Sequence, residues 1–417
     1  MRACVRIRDE ADARAARDEL RRRGMRECAP GQRFELLVVD EWTAEGDTAV
    51  QAARREGVPV TVLAELVLER AGGPVVGVTG TAGKTSTCRA LEWILRQSGG
   101  QVAISSTARS ANAWPDHSLA GGSGTSVVTI AELTSTHLCH MRSVHPDVAV
   151  ATTIRPDHVE LHGSVEAYEA AKRRLVEELT EDDVLVLPCD DATTVGVIGE
   201  RPARPCGFGA LAPGEVPPGD GAFVRGAKVL LRWHGDHAEC DAPSGGTALR
   251  AGLAASAAAM AVGVSAAEAA QALVAVPMVP HRMRAVTGAR GITLIDDTMA
   301  ATPLKGLAAV EALDHPDVVL VVGGDDAPGG VPVHASPEEA EQLSRALREG
   351  RRRAHTLLAF GPATARVREH VEVDADMRDV DAALDAAMSA CPAGGTVLVS
   401  PMFPMRPEER EAVAARR

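Results

Sequence analysis

Gly77-Val78-Thr79-Gly80-Thr81-Ala82-Gly83-Lys84-Thr85-Ser86 decides how the rest of this chain is read. The β-branched run Pro74-Val75-Val76 leads into it, and a helical pattern, Cys88-Arg89-Ala90-Leu91-Glu92-Trp93-Ile94-Leu95, follows. Strand, glycine-rich turn, Gly-Lys-Thr and helix is the layout of a phosphate-binding loop. Glycines let backbone N–H groups close on phosphate oxygens, and a helix N-terminus adds its positive dipole end. Lys84 is placed to reach the β- and γ-phosphates and the Thr85 hydroxyl to face Mg²⁺. The usual spacing puts the first glycine at position 78, which is Val; the available glycines are Gly77 and Gly80. The bland alternative is a glycine-rich turn before a helix. Gly-Lys-Thr at the strand–helix junction favours the phosphate reading.

Length and composition bound the rest. A chain of 417 residues implies two or three domains, each able to bury a core. A net charge of −13 disfavours a nucleic-acid role. Aromatics are only 2% of residues, so base-stacking platforms are not expected. Met1-Arg2-Ala3-Cys4-Val5-Arg6 holds no apolar segment suited to a signal peptide. The long apolar tract from Ala251 to Met278 is mostly alanine and is interrupted by Gly263, Ser265 and Glu268. Two packed helices fit it better than a membrane span. Eight cysteines without a C-x-x-C pair suit reduced thiols in the cytoplasm rather than disulfides or zinc. Of 44 basic residues only four are lysine: Lys84, Lys172, Lys228 and Lys305. Arginine fills the ordinary basic positions, so a surviving lysine is a candidate for chemistry that arginine cannot do.

The expected architecture is α/β in three domains, with a central P-loop parallel sheet and an α/β domain on either side. Residues 1–73 read as a short unit with strands at Ala3–Ile7, Phe34–Asp40 and Val60–Val62 and helices at Glu10–Arg23 and Thr48–Arg55. No glycine-rich turn follows its first strand, so it lacks a nucleotide-phosphate turn of its own. Residues 74–278 form the central domain. Beyond the loop, a Gly/Ser turn at 121–124 precedes strands at Val127–Glu132, Asp147–Thr153 and Val184–Leu187. Ligands of such sheets bind outside the carboxyl ends of the strands. The loop, Glu132 and His158 all fall at such ends. Ser164–Leu179 reads as a helix capped by Ser164, with Lys172 on the apolar stripe of Tyr168, Leu175 and Leu179. Two readings of Lys172 stand: an inward lysine with a function, or a packed stem whose head reaches solvent. Residues 279–417 form a third α/β unit. Its strands read at Ile292–Ile295, Val318–Val322, Thr356–Ala359 and Thr396–Val399, with helices between them. Pro277 and Pro280 suit a hinge before it.

These residues resemble the Mur ligases, the ADP-forming amide synthetases of peptidoglycan precursor assembly, and within them the branch that adds D-glutamate. Four blocks carry the resemblance: Gly77–Ser86; Ala131-Glu132-Leu133-Thr134-Ser135; Pro156-Asp157-His158 with His162-Gly163-Ser164 and Tyr168–Lys172; and Pro280-His281-Arg282 with Ile295-Asp296-Asp297. The resemblance implies ATP and two Mg²⁺ ions as cofactors. Gly80, Thr81, Gly83, Lys84, Thr85 and Ser86 would bind the nucleotide, with Lys84 and Thr85 at its γ-phosphate and metal. Glu132 would hold that Mg²⁺ and His158 a second one. Lys172 matches the lysine that this family carbamylates. A buried, deprotonated lysine can take up CO₂, and the carbamate is an anion able to bind Mg²⁺. Arg282 and Asp297 would approach ATP from the third domain on closure. For each the alternative is structural: a solvated strand end for Glu132, a loop hydrogen bond for His158, a hinge ion pair for Arg282.

The departures concern the substrate ends. The D-glutamate-adding ligases carry lysines where Met299 and Ala327 stand, and a serine near the position of Met405. Their His-Asn pair is Thr247-Ala248 here, and the N-terminal turn that grips UDP is missing. The expected activity is therefore amide formation between small-molecule carboxylate and amine substrates outside the peptidoglycan pathway, by a cytoplasmic monomer without nucleic-acid or membrane partners. A genuine D-glutamate-adding ligase, a non-catalytic ATP-binding relative and a phosphotransferase are the alternatives.

Overall fold

A computed structural model describes residues 1–8, 10–29, 32–40, 43–105, 127–157, 159–243, 246–277, 280–313, 315–327, 332–334 and 337–416. Contacts divide the chain into two compact units, Met1–Pro277 and Met278–Arg417. Three sheets make up the α/β fold expected from the strand–helix alternation, with the P-loop on the central one.

The first sheet is built from β1 (Arg2–Arg6), α1 (Glu10–Arg22), β2 (Arg26–Glu27), β3 (Leu36–Val39), α2 (Thr48–Arg55), β4 (Val60–Val62) and α3 (Leu63–Leu68). Its strands run parallel in the order β2-β1-β3-β4. Glu10 and Asp12 open α1 and Arg21 and Arg22 close it, matching the helix dipole. Ala13, Ala16 and Leu20 lie on its buried face at helical spacing.

The central sheet follows. Its elements are β5 (Val75–Thr79), α4 (Lys84–Gln97), β6 (Val102–Ser105), β7 (Val128–Glu132), α5 (Ser135–His140), β8 (Val148–Ala151), α6 (Val159–His162), α7 (Val165–Arg173), β9 (Val184–Pro188), α8 (Ala192–Ile198), β10 (Arg204–Ala210), β11 (Gly221–Arg225), β12 (Lys228–Trp233), β13 (Asp236–Asp241), α9 (Gly246–Ala261) and α10 (Ala266–Val274). The nine strands lie in the order β13-β12-β11-β10-β9-β8-β5-β7-β6. They are parallel from β6 to β11, and β12 and β13 extend the edge as an antiparallel hairpin. β5 sits between β8 and β7, so the strand that feeds the loop is flanked by two strands ending at the same level. Val78 pairs with Glu132, and Thr79 with Ala151. The alanine tract is two helices, as expected. Ser265 caps α10 through a reciprocal bond with Glu268. Leu91 and Ile94 of α4 pack with the alanines of α9 on one face of the sheet. Each such fully buried side chain contributes roughly 1.5–3 kcal/mol. On the other face, Leu133, Leu138 and Tyr168 share a core with Leu37, Val39 and Val60 of the first sheet.

The second unit holds β14 (Arg284–Thr287), β15 (Thr293–Asp296), α11 (Pro303–Glu311), β16 (Val318–Gly323), α12 (Pro337–Arg353), β17 (Thr356–Phe360), α13 (Thr364–His370), β18 (Ala375–Met377), α14 (Val380–Ala390), β19 (Thr396–Met402) and α15 (Pro407–Ala415). The sheet order is β14-β15-β19-β16-β17-β18, parallel except for the edge pair β14/β15. All eight cysteines are free thiols. Among the described residues no helix is long and apolar enough to cross a membrane.

Candidate active site

The turn between β5 and α4 is shaped by two glycines. Gly80 has φ 147° and Gly83 has φ 88°, both in the region that side chains disfavour. A Cβ on Gly80 would lie 2.0 Å from Thr152 Oγ1. Thr152 in turn donates to the Ala82 carbonyl at 2.5 Å, which stitches the loop to the end of β8. Thr81 is bound into the same wall. Its N–H donates to the Thr153 carbonyl at 2.5 Å, and its hydroxyl lies 2.6 Å from the Tyr168 hydroxyl. Burial holds the Tyr168 phenol well above its usual range, so it stays protonated.

Two lysines meet at one carbonyl. Lys84 Nζ donates to Gly80 O at 2.8 Å and to Thr81 O at 3.3 Å. Lys172 Nζ donates to the same Gly80 oxygen at 2.9 Å and to Thr79 Oγ1 at 3.3 Å. Lys172 is 2% exposed, which decides against the solvent-reaching alternative. Its Nζ also sits 5.4 Å from the centre of the Tyr168 ring. Ser164 caps α7 by accepting from the Ala167 N–H, and Lys172 lies in the last turn of that helix. Lys84 is half-buried at the loop mouth. Lys305 is half-buried in the second unit and Lys228 exposed on β12.

Thr85, in the first turn of α4, donates to Glu132 Oε1 at 2.8 Å. Both are buried, and together they put a hydroxyl and a carboxylate oxygen at one point beside Lys84. Hard oxygen donors of this kind suit Mg²⁺. Glu132 is therefore a buried strand end rather than a solvated one. Ser86 continues the same helical turn. His158 and the 121–124 turn lie outside the described residues.

Three groups enter this wall that the sequence reading passed over. Thr152 is one. His137 is the second: it closes a capping box with Thr134 at the start of α5. Burial pushes it down to about 4, against the pull of Glu132 and with the help of Lys172 and Lys84. Its imidazole is thus neutral at neutral pH. The Thr134-x-x-His137 spacing is the only sequence trace of that cap, with His in place of Glu or Gln. The third is Arg155, which donates to Asp191 Oδ1 at 3.0 Å.

Arg282 and Asp297 come together within the second unit. Asp297 accepts from Ser400 Oγ at 3.0 Å and from the Met283 N–H at 3.3 Å. Burial lifts its carboxyl to about 7, opposed by the Arg282 guanidinium. His281 and Met283 flank Arg282 with positive φ, 61° and 48°. The neighbouring Asp296 binds His281 Nδ1 at 2.9 Å. Of the substituted positions, Met299 and Ala327 are half-buried, and Met405 is buried in an apolar cluster beneath α14 and α15.

A glycine-turned loop on a parallel sheet, with a lysine, a threonine and a carboxylate at its mouth, defines a P-loop protein of the nucleotide-phosphate-binding class. The family profile of the Mur ligase middle domain matches residues 78–213. The UDP-N-acetylmuramoylalanine--D-glutamate ligase of Symbiobacterium thermophilum is 30% identical over 371 residues, covering 84% of this chain and 75% of that protein. The chain belongs to the Mur ligase family, and is accordingly an ATP-dependent, amide-forming ligase. Solved structures share the fold. A pseudomurein peptide ligase type C from Methanothermus fervidus superposes with TM-score 0.64 at 15% identity, over 100% of both chains. The MurF ligase of Thermotoga maritima in complex with ADP gives 0.62 at 18% identity, over 99% of this chain and 93% of that one.

Proposed function

We propose that the chain joins a small carboxylic acid to an amine through an acyl phosphate, and that its substrates lie outside peptidoglycan assembly. The observation that carries the first half is the meeting of Lys84, Lys172, Thr85 and Glu132 at the Gly80 turn. A carboxylate oxygen attacks the γ-phosphorus of ATP, the bond to the bridging oxygen breaks, and ADP leaves. The amine then attacks the acyl carbon and phosphate departs. Lys84 places positive charge against the transferred phosphoryl group, and the loop N–H groups orient it. Thr85 and Glu132 would hold a magnesium ion, which supplies charge neutralisation at the phosphate oxygens. Lys172, as a carbamate, and His158 would serve a second. Arg282 and Asp297 are assigned to the nucleotide.

The second half rests on Met299, Ala327 and Met405. A second substrate carboxylate finds no cation among these three, and an unpaired buried charge is costly. An amine less acidic than glutamate fits better. The 30% identity to a D-glutamate ligase favours the other reading, the cell-wall reaction itself. ADP release with UDP-N-acetylmuramoyl-L-alanine and D-glutamate separates the two. Little release there, together with turnover on other acid–amine pairs that Lys84→Ala abolishes, is the expected result. Efficient release would make the cell-wall reading correct.

A further inference from the structure

Away from the phosphate loop, three ligand-type side chains converge where the first sheet's domain meets the central one. Glu45 lies in the segment after β3, Cys139 near the end of α5, and His162 at the end of α6. One ligand atom from each, a carboxylate oxygen, Sγ and a ring nitrogen, falls within 4.8 Å of the others. Cys139 is 4% exposed, and the side chain of His162 is fully buried.

His162 shows what the cluster lacks. Its Nε2 is 2.9 Å from Ser135 Oγ. Its Nδ1 is buried without a hydrogen-bond partner among the described residues. Nδ1 lies 3.8 Å from Glu45 Oε2, longer than a hydrogen bond and at the outer reach of an ion pair. Two donors each about 2.0–2.2 Å from a tetrahedral cation stand roughly that far apart. His140, next to Cys139, repeats the pattern. Its Nε2 donates to the Thr43 carbonyl at 2.7 Å, so its buried Nδ1 keeps a lone pair, also unpartnered. Buried polar atoms of this kind are uncommon in folded proteins and call for an occupant.

We propose that Glu45, Cys139 and His162 form a binding site for a divalent cation of the zinc class. Thiolate, imidazole and carboxylate together select Zn²⁺ over Mg²⁺ or Ca²⁺, which take oxygen ligands. The Cys139 thiol now donates to the Thr136 carbonyl at 3.3 Å; on metal binding its proton leaves to solvent and Sγ bonds the ion. Ser135 holds the imidazole from its far side, as outer partners of metal-bound histidines do. The Glu45 N–H donates to the Leu161 carbonyl at 3.0 Å, so the acidic ligand is held against α6 by backbone. Arg54 stands 3.7 Å from Glu45 Oε1 and donates to the Cys139 carbonyl at 3.1 Å. It leaves Oε2, the oxygen facing His162, for the ion. The ion would tie the Thr43–Asp47 segment to α5 and α6.

The test is cobalt substitution in the full chain after chelator treatment, without ATP. Wild-type protein should show a thiolate-to-cobalt charge-transfer band that saturates at a single equivalent and is bleached by Zn²⁺. An oxygen-ligated site at Thr85 and Glu132 cannot give that band. Cys139→Ser should abolish the band, and His162→Gln should weaken cobalt binding by at least about tenfold. Glu45→Gln, at the half-buried rim, changes one carboxylate oxygen to an amide at constant size and should also weaken it. Absence of the band in wild-type protein, its persistence in Cys139→Ser, or unchanged affinity in Glu45→Gln each overturns the site.

Discussion

In the first unit, Lys84 and Lys172 both donate to the Gly80 carbonyl while Glu132 accepts from Thr85. In the second unit, Asp297 sits beside Arg282 and Ser400, yet burial still raises its carboxyl to about 7. Both regions bury charge. The loop does so with backbone carbonyls supplied by glycine geometry, which remain acceptors at any pH. The second region buries two neighbouring carboxyls, Asp296 and Asp297, and the charge of Asp297 is in balance near neutrality. The loop should therefore lose function steeply when one group is removed, and the Asp297 region should respond to pH more than to truncation.

The largest effect belongs to Lys84. Lys84→Ala should cut ADP formation by roughly 10³-fold while leaving the unfolding temperature close to wild type. Near-normal turnover in this variant would end the comparison at its first term. Lys172→Ala should follow at roughly 10²-fold. If Lys172 carries the proposed carbamate, added short-chain carboxylic acids should restore part of the activity by supplying an anion in its place, whereas Lys172→Arg should resist rescue. Steady-state assays with and without acetate read the difference, and full activity without rescue would make Lys172 a packing residue.

Gly80→Ala tests whether the loop's geometry matters beyond its charges. The new methyl would collide with Thr152 Oγ1 at 2.0 Å and force a positive φ on alanine. A stability loss of roughly 1–3 kcal/mol is expected in urea titration, with turnover falling alongside it. Unchanged midpoints would show that the turn relaxes freely.

The pH response of Asp297, which is expected to leave turnover least changed, is the most diagnostic of the second region. A carboxyl raised from 3.8 to about 7 favours its protonated form in the folded state. Its stabilising contribution is complete below about 3.8 and is lost as pH rises through about 7. Relative to Asp297→Asn, wild-type protein should lose a few kcal/mol between those limits. Urea midpoints of both proteins across that pH range should diverge; a constant difference would mean that Asp297 is ionised throughout.

Much of this was legible in the residues. Gly-Lys-Thr after a β-branched run located β5 and α4, and Gly263 with Ser265 divided the alanine tract into α9 and α10. The hairpin β12–β13 was missed because its alternation is short and glycine-punctuated, with turns at Gly226 and Gly235. β14 was missed because Arg284-Ala285-Val286-Thr287 is a mostly exposed edge strand with little apolar signal. Ser164 as a cap and Lys172 on the inner stripe were readable, but only burial could choose between the two readings of Lys172. His137 and Asp297 have ordinary letters in ordinary places. Their shifted protonation comes from what tertiary packing stacks around them, and local spacing carries no record of that.

The four lysines of this chain are graded by their surroundings: Lys228 is exposed, Lys84 and Lys305 are half-buried, and Lys172 is sealed. An amine-reactive reagent therefore meets almost no background. Its mass-spectrometric footprint reduces to a handful of peptides, with Lys228 as an internal reference for reagent dose. Protection of Lys84 by a nucleotide, or exposure of Lys172 by a perturbation of the loop, could be read peptide by peptide in unfractionated protein. The replacement of ordinary lysines by arginine has left this enzyme with its own built-in reporter set.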